Sequence, residues 1–121
     1  MKKILFIEDE AVLQKTVSDF LISRNYEVHQ ALDGETGLRL AKEKKPDLVL
    51  LDLIMPRKNG FEVLESLKKD PETAHIPVIV LTNLEGTEEV ERALSGGATT
   101  YLVKANYSLE EVLQKVKETI S

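Results

Sequence analysis

Three short apolar runs without alternation constrain this chain more than any other feature: Ile4-Leu5-Phe6-Ile7, Leu48-Val49-Leu50-Leu51 and Val78-Ile79-Val80-Leu81. A strand wetted on one face alternates apolar with polar residues. Unbroken runs therefore predict strands covered on both faces, as in a parallel sheet with helices above and below. Tyr101-Leu102-Val103 predicts a further strand. Tyr26 to Gln30 predicts a fifth, with Tyr26 and Val28 alternating against Glu27 and His29 as suits a strand at or near a sheet edge.

Helical spacing fills every gap between these runs. Leu13, Val17, Phe20 and Leu21 mark the first helix, and Leu38, Leu40 and Ala41 the second. The third is predicted over Gly60 to Lys69, stopping before Asp70-Pro71 because a residue ahead of proline disfavours helix. The fourth starts near Thr87 and ends at Gly96-Gly97, where glycine accepts a left-handed cap. Ser108 and Glu111 form a capping box ahead of Val112, Leu113 and Val116 in the last. A repeated βα order calls for right-handed crossovers, so helices cover both faces and every strand points its C-terminal end the same way. At 121 residues the chain is expected to form a single doubly wound α/β domain over its whole length.

Composition narrows the function classes. With no cysteine, disulfides, thiolate metal sites and thiol nucleophiles are excluded, and a reducing cytoplasm is the natural compartment. The start Met1-Lys2-Lys3, with few apolar residues before Glu8, predicts no signal peptide, and no stretch has the length of a membrane span. A formal net charge of -5 argues against direct nucleic-acid binding and for basic protein surfaces as partners.

The chemistry collects at the strand ends. Just past successive apolar runs stand Glu8-Asp9-Glu10, then Asp52, then Thr82 and Asn83, then Lys104. In open α/β sheets ligands bind outside the carboxyl ends where strand order reverses, which for order 2-1-3-4-5 lies between the first and third strands, flanked by Asp9 and Asp52. Two carboxylates about 5 Å apart repel by roughly 3 kcal/mol at an effective dielectric near 20, so such a pair wants a proton or a cation. Hard oxygen ligands completed by water suit Mg²⁺, with Mn²⁺ as a substitute. Lys104 and the Thr82 hydroxyl can hold an anion at the same crevice, and the set suits phosphoryl transfer.

On these residues the chain resembles the receiver domain of two-component response regulators. The resemblance rests on Glu8-Asp9, the D-x-x-M-P stretch Asp52-Leu53-Ile54-Met55-Pro56, Thr82 and Lys104, in order and at the family's spacing. It implies a flavodoxin-like, three-layer (βα)5 sandwich with sheet order 2-1-3-4-5. It implies a phosphoacceptor signalling domain rather than an enzyme, with Asp52 taking a phosphoryl group from a histidine kinase or phosphotransfer protein. Asp9, Asp52 and the backbone carbonyl of Ile54 are implied ligands of Mg²⁺, with Glu8 bound through water, while Thr82 and Lys104 grip phosphoryl oxygens. Thr82 and Tyr101 are the implied switch pair. The face made by the fourth helix, fifth strand and fifth helix is the implied readout for a downstream protein target and the seat of any homodimer.

Two departures set this chain apart. Lys104-Ala105 stands where the family has Lys-Pro with a cis bond, which leaves that peptide trans or strained. Ile54 and Leu84, each two residues beyond a site residue, are expected to flank the path of an attacking water and slow loss of the phosphoryl group. Rival readings fare worse. A nucleotide or flavin binder needs a phosphate cradle after the first strand, where Glu8-Asp9-Glu10 would repel it. An aspartyl phosphohydrolase needs a second acid where Ile54 stands, and phosphate-loop and dinucleotide fingerprints are missing. The remaining alternative keeps the fold without the chemistry, as an unphosphorylated interaction module.

Overall fold

Every residue of the three unbroken apolar runs is buried, and successive residues enter different cores. In the computed structural model, which describes residues 1–55 and 59–120, Leu5, Ile7, Val49, Leu51, Val78 and Val80 face one hydrophobic core. Their neighbours Ile4, Phe6, Leu48, Leu50, Ile79 and Leu81 face the other. This is the physical meaning of the missing alternation: side chains still alternate, but both faces are dry.

The elements run β1 (Lys3–Ile7), α1 (Ala11–Ser23), β2 (Glu27–Ala31), α2 (Gly34–Lys44), β3 (Leu48–Leu51), α3 (Gly60–Lys69), β4 (Val78–Thr82), α4 (Thr87–Ser95), β5 (Thr100–Val103), a 3₁₀ turn (Lys104–Asn106) and α5 (Leu109–Ile120). All strand pairs are parallel, in the order β2-β1-β3-β4-β5. The flavodoxin-like (βα)5 sandwich is thus observed. Val17 and Leu21 of α1 and Val112, Leu113 and Val116 of α5 cover one face; Ala41 of α2, Val63, Leu64 and Leu67 of α3 and Ala93 of α4 cover the other.

Local chemistry sets the helix starts. Asp33 accepts from Thr36 N at 2.8 Å ahead of α2, and Asn59 accepts from Glu62 N at 3.1 Å ahead of α3. The capping box of α5 closes in both directions, with Glu111 N donating to Ser108 Oγ at 3.2 Å and Ser108 N donating to Glu111 Oε1 at 3.1 Å. At the end of α4 the left-handed residue is Gly97, at φ 107°, whereas Gly96 remains right-handed. β2 is an edge strand as its alternation predicts, but it starts at Glu27, because Tyr26 N still donates to Leu21 O at 3.2 Å. Pro56 of the D-x-x-M-P stretch lies outside the described residues.

Close packing reaches the strand tips at one glycine. Gly60 N donates to Leu53 O at 3.0 Å, and a Cβ on Gly60 would lie 2.4 Å from both Asp52 O and Leu53 Cα. Main chain cannot swing aside as a side chain can, so Gly60→Ala is expected to cost roughly 1–3 kcal/mol of unfolding free energy, as core overpacking does. Urea denaturation followed by circular dichroism measures it; a midpoint equal to that of the unsubstituted chain would contradict this account of the contact.

Candidate functional site

The parallel ladder runs one residue past the strands and so aligns the acids. Glu8 N donates to Ala31 O at 3.0 Å, extending the β1–β2 pairing, and Asp52 N donates to Ile7 O at 3.0 Å, extending β1–β3. Glu8 and Asp52 thereby leave adjacent strand tips side by side, 1% and 3% exposed respectively, while Asp9 and Glu10 are exposed. Carboxylate oxygens of Glu8, Asp9 and Asp52 all lie within 4.8 Å of one another.

Lys104, at the start of the 3₁₀ turn, belongs to the far side of β4 and reaches across its tip. Its Nζ donates to Glu8 Oε1 at 2.6 Å and to Asp52 Oδ2 at 3.2 Å. The other Asp52 oxygen accepts from Ile54 N at 3.2 Å, and Glu8 Oε2 accepts from Glu10 N at 3.2 Å. Among the described residues there is no cis peptide, so Lys104-Ala105 is trans, and the short 3₁₀ turn carries the chain away from the site.

Charge in this cluster is unbalanced. Burial, reinforced by the negative charge of Asp52, pushes the Glu8 carboxyl up to about 7 in spite of the hydrogen bonds from Lys104 and Glu10 N. Burial opposes the charge on Lys104, but its bond to Glu8 and the charges of Asp52 and Glu8 together outweigh this and hold its ammonium above the usual lysine value. Three carboxylates against one ammonium leave a net negative pocket built of oxygen donors, and that donor set fits a hard divalent cation. The acids open on a cleft of about 390 Å³ whose walls also include Glu10, Ile54 and Asn83. A larger cleft of about 480 Å³ beside α2 and α3 offers no comparable set, since its Lys42 and Asp70 already pair at 3.0 Å.

Thr82 ends β4, paired in register with Val103, the residue before Lys104. It is fully buried, and its Oγ1 has no hydrogen-bond partner among the described residues. An unpaired buried hydroxyl costs about 1–3 kcal/mol, which sets this group apart from the satisfied polar atoms around it. Two positions on, Leu84 O accepts the Tyr101 hydroxyl at 2.8 Å. Burial pushes the Tyr101 phenol up, with smaller contributions from the charges of Glu89 and Asp52.

Sequence reasoning thus names the groups that meet, namely Glu8, Asp9, Asp52 and Lys104, with Thr82 unpaired at the neighbouring strand end. Ile54 lines the cleft with half its surface exposed. Leu84 differs: its side chain packs against the core under α3 and α4, so Ile54 alone of the two lines the cleft. His29 pairs with Glu27 at 2.6 Å and His75 is exposed, both on other parts of the surface. Missed from sequence were Gln14 and Ser18, buried behind the acidic loop; the available signal was two polar residues at the helical spacing of Val17 and Leu21.

Comparison with known proteins agrees with this arrangement. Residues 4–117 match the family described as the response regulator receiver domain. The DNA-binding dual master transcriptional regulator RpaA of Synechocystis is 39% identical over 97% of this chain, which spans 48% of that regulator's length. Chemotaxis protein CheY4 of Vibrio cholerae superposes with a TM-score of 0.92 at 28% identity, covering 98% of each chain. The receiver domain of sensor histidine kinase PA1611 from Pseudomonas aeruginosa, solved with magnesium coordinated in its active-site cleft, gives 0.89 at 26% identity over 98% of this chain and 97% of its own. Among the described residues no helix is long and apolar enough to cross a membrane. The fold, the acid cluster at its strand tips and the match over nearly the whole length lead to one conclusion: the chain belongs to the response regulator receiver domain family of two-component signal transduction.

Proposed function

We propose that residues 1–121 act as a single phosphoacceptor receiver, with Asp52 taking a phosphoryl group in a Mg²⁺-dependent reaction. The observation that carries this reading is the meeting of Glu8, Asp9 and Asp52 within 4.8 Å under one ammonium, that of Lys104. Receiver domains generally bind Mg²⁺ at an acidic pocket, and response regulators interact with histidine kinases and downstream targets. Here Asp9, Asp52 and the Ile54 carbonyl would hold the ion, with Glu8 acting through water; Mn²⁺ would serve as well. Bound there, the ion supplies neutralisation of phosphoryl oxygens and of the acids themselves.

The remaining work falls to side chains of this chain. An Asp52 carboxylate oxygen forms the new bond to phosphorus as the bond to the donor nitrogen of a histidine kinase or phosphotransfer protein breaks. With the donor ring's other nitrogen protonated, the electron pair of the broken P–N bond stays on nitrogen and the ring leaves as neutral imidazole. Lys104, already 3.2 Å from Asp52 Oδ2, shifts its donation to a phosphoryl oxygen, and Thr82 finds in another the acceptor its buried hydroxyl lacks. Drawing Thr82 toward the phosphoryl group moves the loop that also holds Leu84 O, and with it the bond to Tyr101. The face of α4, β5 and α5 then presents a changed surface to a downstream protein, and would seat any homodimer. Such a domain is a switch rather than an enzyme, and the cysteine-free sequence suits work in the cytoplasm.

Acetyl phosphate with Mg²⁺ is expected to leave one phosphate adduct on the intact protein, read by mass spectrometry. Asp52→Asn and chelation by EDTA should each abolish it. Labelling of Asp52→Asn to the same extent sinks the assignment and favours an interaction module without the chemistry. The half-exposed Ile54 on the cleft wall gives a second expectation. Ile54→Asn, which can orient water where isoleucine cannot, should shorten the life of the phosphorylated form, and a lifetime unchanged or longer would refute a shielding role.

A further inference from the structure

Two polar side chains are buried on a stretch of α1 that otherwise presents apolar residues to the sheet. Gln14, 2% exposed, and Ser18, fully buried, stand in line with Val17 and Leu21. The Gln14 amide nitrogen donates to Phe6 O at 2.9 Å and Ala31 O at 3.1 Å, and makes a longer contact of 3.4 Å to Glu8 O. Carbonyls only accept, so the nitrogen must face them, and the Ser18 hydroxyl then donates to the remaining amide oxygen at 2.9 Å. An aliphatic pair would fill this space without the cost of desolvating an amide and a hydroxyl, so filling space does not explain them.

The carbonyls gathered here belong to the end of β1, the end of β2 and the first residue of the acidic loop. The loop is held from three further points: Glu8 N on Ala31 O, Gln14 N on Glu10 O at 2.9 Å, and Glu10 N on Glu8 Oε2. Asp9 has no comparable hold, because it is exposed and its carboxylate has no hydrogen-bond or ion-pair partner among the described residues. Where that carboxylate points is therefore decided by the main chain on either side of it. We propose that Gln14, backed by Ser18, is a positioning residue for the acidic loop, fixing the backbone from which Glu8 and Asp9 present their carboxylates to a divalent cation. The inference rests on the metal-dependent reading above and adds to it a residue outside the cleft.

Amide chemical-shift titration of the full chain with MgCl₂, alongside thermal unfolding, tests it. Gln14→Leu is expected to weaken Mg²⁺ binding about tenfold, the scale of lost support behind a metal ligand. Ser18→Ala, which frees the amide oxygen, should weaken it by a smaller factor and carries the test should Gln14→Leu not fold. Val116→Ala, equally buried but on α5, should lower thermal stability while keeping the wild-type affinity for Mg²⁺. The proposal is overturned if a folded Gln14→Leu or Ser18→Ala binds Mg²⁺ as wild type does, or if Val116→Ala weakens binding as much as Gln14→Leu. A wild-type chain that takes up no Mg²⁺ defeats the metal-dependent reading itself, a result separate from either of these.

Discussion

Two backbone hydrogen bonds beyond the strand ends decide where the charge of this molecule is concentrated. Glu8 N on Ala31 O and Asp52 N on Ile7 O carry the parallel register one step past the sheet, where like charges come into line. They cannot drift apart, because the register is locked from below. A slip of β1 by one residue would exchange Leu5 and Ile7 with Ile4 and Phe6 between the two cores, and all four are fully buried. Held within 4.8 Å of each other, two ionised carboxylates repel by about 3 kcal/mol or more at an effective dielectric near 20. The apolar sheet therefore holds an electrostatic tension that Lys104 relieves in part, leaving a site receptive to a cation.

That dependence explains which parts of the molecule were legible in the sequence. The apolar runs disclose strands dry on both faces, and a parallel sheet brings their C-terminal ends to one edge, so reading the residue after each run finds Glu8, Asp9, Asp52, Thr82 and Lys104. The end of α3 follows from proline chemistry, and the start of α5 from a capping box whose two bonds are both present. These signals are local, and local chemistry suffices for them.

The features missed are those in which a residue's role is set by something distant in sequence. Leu84 stands two places after a strand-end threonine, yet its side chain turns to the core, because a leucine there gains more from apolar contact than from the edge of an acidic cleft. Gln14 and Ser18 break an apolar stripe, a signal that reads as noise until the carbonyls of Phe6, Glu8 and Ala31 are seen to converge on the amide. Gly60 looks like an ordinary helix start; its necessity comes from Asp52 O and Leu53 Cα, eight and seven positions away.

On the proposed reading, Thr82 and Tyr101 are the residues through which a charge at the cleft would reach a surface. Both act on the segment between β4 and α4: one ends the strand with an unpaired hydroxyl, and the other donates to Leu84 O. The segment ends on Gly86, which caps α4 with no side-chain bond, so the Tyr101 bond and whatever meets Thr82 have a large share in setting its position. On the proposed reading, a phosphoryl group on Asp52 supplies Thr82's missing acceptor and so stabilises one placement of the segment over others. A partner responds only insofar as it binds that placement better, since a ligand indifferent to the two states shifts neither. Coupling on that reading needs no long chain of contacts: a single residue, Asn83, separates Thr82 from Leu84, whose carbonyl accepts the Tyr101 hydroxyl.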